Sequence, residues 1–149
     1  MELKEQAQKI LNFLTREGGL ADAVLDGDGR AVIPAMDMVF LFYLSPGTQA
    51  METAIYVGKP DLGDSHLLYR ILCGNHLWEY TGGGQLSLDR ETGHLCLTTA
   101  LDLPVMDWDG LAAAWGEFLG AAQYWQDVLS GYSDQPPASD IPGANFIRV

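Results

Sequence analysis

The sequence predicts an α+β domain in the order α-β-β-β-α-β-β-α, a twisted antiparallel sheet flanked by helices. Three observations carry that expectation. Apolar residues recur at helical spacing near both ends of the chain. Between them lie short alternating or wholly apolar runs bounded by Gly, Pro and Asp. One short apolar helix separates the earlier runs from the later ones. A chain of 149 residues is long enough for one core and short for two.

The first helix spans residues 3–17. Leu3, Ala7, Ile10, Leu11 and Leu14 make one oily face, Phe13 widens it, and Gly18-Gly19 supply a C-terminal stop. Asp26-Gly27-Asp28-Gly29 reads as a tight turn. A calcium loop is rejected there, because Ala31 stands where such a loop needs glycine and Pro34 interrupts it. Three strands follow: residues 30–33, stopping at Pro34; residues 39–44, apolar on both faces; and residues 52–57, with Thr53, Ile55 and Val57 opposed to Ala54 and Tyr56. Ser45-Pro46-Gly47 joins the last two as a hairpin. A strand apolar on both faces needs cover on both, from helices on one side and a partner chain on the other.

Asp64 or Ser65 caps the second helix, which presents Leu67, Leu68, Ile71, Leu72 and Asn75 and unwinds through Trp78 and Tyr80. Residues 85–88 and 94–97 form a hairpin over Asp89–Gly93. Leu86, Leu88, Leu95 and Leu97 share one face, Ser87 and Cys96 the other. Asp107 or Asp109 caps a last helix with a stripe of Leu111, Trp115, Phe118, Leu119, Ala122, Trp125 and Leu129. The expected division is a domain over residues 1–130 and an extended Pro/Ser/Gly-rich tail over 131–149, ending in the more apolar Phe146-Ile147-Arg148-Val149.

Eight Lys and Arg against twenty Asp and Glu leave a net charge of −12, which disfavours nucleic acid as a partner. No apolar run reaches the ~18 residues of a membrane span. The polar start of the chain lacks a signal peptide's apolar core, and two cysteines without ligand spacing suit a reducing cytoplasm. Gly82-Gly83-Gly84 lacks the lysine and hydroxyl of a phosphate loop and precedes a strand. Of the histidines His66, His76 and His94, the first two are ten apart and share no helical face, no neighbouring zinc ligands stand out, and no nucleophile motif is present. The expectation is therefore no catalytic residue, no metal and no cofactor. Trp115 and Trp125 fall on the helical stripe as core, whereas Trp78 and Trp108 stand at element edges as interface candidates.

Several features together resemble the class I type III secretion chaperones, the Tir chaperone family. They are a short helix ending in Gly74-Asn75, a glycine turn, the Leu86/Leu88 strand with its Asp89…Thr92-Gly93 turn, Leu95/Leu97, a Leu101–Pro104 linker and a capped helix to Trp125. The resemblance covers roughly residues 3–130 and is sharpest after Ser65. It implies a cytoplasmic homodimer that binds the N-terminal segment of one secreted effector in extended form and keeps it soluble and export-competent. The secretion-apparatus ATPase is a further candidate partner. It also implies a two-fold interface on the second helix and the strand beside it, with Leu68, Ile71, Leu72, Asn75 and Trp78 as its residues. For the effector the candidates are Phe13, Leu14, Phe40, Phe42 and Tyr56, with monomer core as the competing reading of the two strand phenylalanines. Three other readings stay open at this point: a chaperone-like regulator sequestering a control protein, a small acidic enzyme whose site is assembled from distant residues, and a stand-alone domain of this fold unconnected with secretion.

Overall fold

In a computed structural model, which describes residues 2–45 and 47–130, the elements follow the expected order: α1 (Leu3–Gly18), β1 (Arg30–Ala35), β2 (Met38–Leu44), β3 (Ala50–Gly58), α2 (Ser65–His76), β4 (Gln85–Leu88), β5 (Leu95–Asp102) and α3 (Trp108–Leu129). The strands form one antiparallel sheet in the order β1-β2-β3-β5-β4. The tail expectation, and Pro46 of the expected hairpin turn, lie outside the described residues.

Helices α1 and α3 cover one face of the sheet. Ala7, Ile10, Leu11 and Leu14 of α1 meet Trp115, Phe118, Ala122 and Trp125 of α3 over Phe40, Phe42, Met51, Ile55, Leu95 and Leu97, all buried. Alternation in the strands makes this possible: Phe40 and Phe42 lie two apart and point the same way. The helix ends follow the expected chemistry. Gly19 takes the left-handed conformation that closes α1 (φ 67°), Asp64 accepts from the Leu67 amide, and Asp107 accepts from the Gly110 amide.

Five expectations need correction. Pro34 does not end β1, which continues to Ala35. Leu44 donates to the Gly29 carbonyl, so residues 31, 33 and 35 turn their backbone groups toward β2 and residue 34 turns its own outward. The N–H that proline lacks would face away from the sheet, as an edge strand tolerates. His94 precedes β5 rather than opening it, and Leu101 and Asp102 belong to β5 rather than to a linker, since β3 is long enough to pair with them. Leu88 does not join Leu86, Leu95 and Leu97 inside; it ends the outermost strand and is 42% exposed. Trp108 packs against α1 in its own chain, edge-on to Phe13 at 4.9 Å with the Lys9 ammonium over its ring.

Candidate functional site

Among the described residues, no helix covers most of the width of the sheet's second face. The strand register stacks its outward residues in rows: Arg30, Tyr43, Glu52 and Ala100; Val32, Leu41, Ala54, Thr98 and Gln85; Pro34, Val39, Tyr56, Cys96 and Ser87. Most of these are apolar or aromatic, yet Val32 is 61% and Val39 40% exposed. Toward β4 the face deepens into an open concavity of about 850 Å³ between Leu41, Tyr43, Ala54 and Thr98 on the sheet and Asn75, His76 and Trp78 at the end of α2.

That end of α2 is held by specific contacts. Gly74 lies so close to Trp125 that a Cβ there would sit 2.6 Å from the indole ring. The Trp125 indole N–H donates to the Tyr80 carbonyl at 2.8 Å, Tyr80 stacks on Tyr124 at 4.1 Å, and the Arg70 guanidinium donates to the Tyr124 hydroxyl. Asn75 accepts from the Leu86 amide at 3.0 Å and so ties the helix to β4. The glycine turn is wedged in the same way, since a Cβ on Gly82 would meet the Glu117 carbonyl at 2.6 Å and one on Gly84 the Thr98 carbonyl at 2.5 Å. Close backbone approach accounts for these glycines without a phosphate.

Within this frame α2 turns apolar residues outward: Leu72 is 66% exposed and Tyr69 42%, with Leu68 half-buried one turn before Leu72. Trp78 follows at 79% exposure, with a left-handed backbone (φ 60°), and Tyr80 shares that conformation (φ 57°). Bulky residues held there are uncommon and cluster where a surrounding structure over-determines them.

The structure sorts the expected site residues. Of the dimer candidates, Leu72 and Trp78 are exposed and Leu68 borders them; Ile71 is buried beneath, and Asn75 is engaged with β4. Of the effector candidates, Leu14, Phe40 and Phe42 have no exposure at all, so their place is the monomer core. Phe13 is half-buried against Trp108, and Tyr56 remains on the open face. Missed by sequence reasoning were Val32 and Val39, exposed on that face. Their signal was the two-sided apolar character of residues 39–44, which pointed to a second cover without naming its side chains.

Three titratable groups near the open face depart from their ordinary values. Burial pushes the Cys96 thiol up to about 11 and raises the Tyr56 phenol, while backbone N–H donation, foremost from Glu91, lowers the Asp89 carboxyl. A thiol so raised is a poor nucleophile. Among the described residues no group of three or more His, Cys, Asp and Glu side chains is placed to hold a metal ion, and no helix is long and apolar enough to cross a membrane. What the site offers is apolar area, an open strand edge and a concavity.

Solved structures share this architecture. A chain of the ExsC–ExsE complex is 17% identical, with 87% of this chain and 97% of that chain covered and a TM-score of 0.67. A chain of the HopA1–SchA chaperone–effector complex is 13% identical, covering 85% and 98%, with a TM-score of 0.60. A chain of the Yersinia pestis type III secretion chaperone SycH in complex with a stable fragment of YscM2 is 19% identical, covering 79% and 98%, with a TM-score of 0.56. At these identities the likeness is one of fold, and the fold is that of secretion-chaperone structures. No curated protein sequence matches the chain. The model of the Tir chaperone protein (CesT) family matches residues 9–126, and the chain belongs to that family of type III secretion chaperones. Membership of a chaperone family points to binding rather than catalysis.

Proposed function

We propose that this protein is a cytoplasmic effector chaperone of a type III secretion system. It acts as a homodimer and holds the N-terminal segment of one secreted protein in extended form. The single observation that carries the reading, beside family membership, is an apolar sheet face left open next to an exposed apolar helix. The two surfaces divide the work. Leu68, Leu72 and Trp78 form a self-complementary patch for the two-fold contact, in which the concavity beside α2 receives the projecting indole of the second copy. The β1 side, with Val32, Val39 and Tyr56, takes the effector.

An extended segment suits this surface physically. It gains apolar burial and strand-edge hydrogen bonds without folding first, and it remains linear for export. The chaperonage is thermodynamic: covering the segment's apolar residues keeps them from associating elsewhere. The test is co-purification from the native cell followed by light scattering and limited proteolysis. Two copies of this chain protecting the N-terminal segment of one secreted protein support the reading. A monomer that carries no such protein overturns it.

A further inference from the structure

Covering the concavity beside α2 takes two polar groups out of water, one on each side of the contact. Glu52 lines it from β3, exposed, and is the one lining residue with a full negative charge. Its carboxylate has no hydrogen bond or ion pair among the described residues. The cation in its row, Arg30, stands two strands away and lies over the intervening Tyr43 ring at 4.9 Å. Any occupant that seals the concavity must therefore bring a donor to Glu52, because a carboxylate buried without one is strongly unfavourable.

The second group is the Trp78 indole. Both buried indoles of this chain are satisfied by a carbonyl: Trp115 N–H donates to Leu14 at 3.1 Å and Trp125 N–H to Tyr80 at 2.8 Å. Trp78 Nε1–H has no acceptor among the described residues, and its ring is 79% exposed on a left-handed backbone. An indole that enters an interface needs an acceptor there. In the concavity Asn75 already accepts from the Leu86 amide, and the Thr98 hydroxyl donates to the Gln85 carbonyl.

We infer that Trp78 Nε1–H of each copy donates to the Glu52 carboxylate of the other, and that this bond fixes the register of the two-fold contact. It presupposes the dimer proposed above. One bond meets both needs: the unpaired donor and the unpaired carboxylate line the same concavity, yet they do not bond within one copy, so each is completed by the second copy. A two-fold axis makes the bond twice. Leu41, Tyr43 and Ala54 wall the ring and exclude water, which strengthens a charge-assisted hydrogen bond.

The experiment is a double-mutant cycle on the full chain, with the dimer dissociation constant read by light scattering on dilution. The variants are Glu52→Ala, Trp78→Phe and the two combined, with Glu52→Gln as a milder fourth; unchanged urea midpoints report an intact fold. The bond predicts that Glu52→Ala weakens the dimer at least about tenfold when Trp78 is present and less than about twofold when Trp78→Phe has removed the donor. Glu52→Gln, which keeps a carbonyl acceptor, should lose less than Glu52→Ala. Independent, additive losses overturn the bond and leave the dimer standing. A wild type that is monomeric at every concentration overturns bond and dimer together. A Glu52→Ala dimer of full strength that has lost its secreted protein assigns the carboxylate to a basic side chain of that protein and overturns the bond.

Discussion

The two faces of one sheet differ as sharply as a core and a surface. On β2, Phe40 and Phe42 are sealed beneath α1 and α3, while Val39 on the same strand is 40% exposed. Both sets are apolar, and the alternation of the strand alone decides which is which. An apolar residue on a covered face holds the monomer together. The same residue type on an open face is available to a partner. The contrast repeats on α2, where Ile71 is buried and its neighbour Leu72 is 66% exposed.

Substitutions on the two sides should therefore have opposite signatures. Phe42→Ala removes a ring from the closed face and is expected to cost ~3–5 kcal/mol in urea unfolding. Val39→Thr on the open face should stay within about 0.5 kcal/mol. Equal losses at the two positions would break the comparison. Next in size is the helix: Leu72→Asp with Trp78→Ser should weaken the proposed two-fold contact by about 2–4 kcal/mol while the isolated fold survives, read as a shift toward monomer by light scattering on dilution. Gly74→Ala drives a methyl into Trp125 and is expected to cost about 1–3 kcal/mol of thermal stability, because the ring is fixed by its bond to the Tyr80 carbonyl.

The smallest effect is titration. The Cys96 thiol is raised from 9.0 to about 11, so the folded chain keeps a proton that the unfolded chain releases. The associated stability is whole below pH 9 and declines as pH rises toward 11, with the raised Tyr56 phenol acting in the same direction. Urea midpoints at pH 8 and pH 10 should fall less in Cys96→Ala than in wild type.

Much of this was legible before any coordinates. The helical stripes, the cap positions narrowed to Asp64 or Ser65 and to Asp107 or Asp109, the hairpins and the element order follow from local periodicity and turn chemistry, which act within a few residues. The relation of Gly74-Asn75 to the fold was visible only as a pattern; its cause, contact with Trp125 and with the Leu86 amide, joins residues far apart in sequence. Burial of Leu14, Phe40 and Phe42 against exposure of Val32 and Val39 also depends on where α1 and α3 land, which a two-sided apolar strand does not encode. The end of β1 was misread because proline stops a central strand, whereas β1 is an edge.

The central claim is that the open surfaces serve partners, the helix for a second copy and the sheet for a secreted segment. The most direct measurement is the mass, by light scattering, of the protein co-purified from its native cell, in wild type and in Leu72→Asp/Trp78→Ser. The account predicts twice 16.3 kDa plus one secreted protein for wild type, and a dissociated, folded chain for the variant. A wild-type monomer of 16.3 kDa with no secreted protein bound would contradict it.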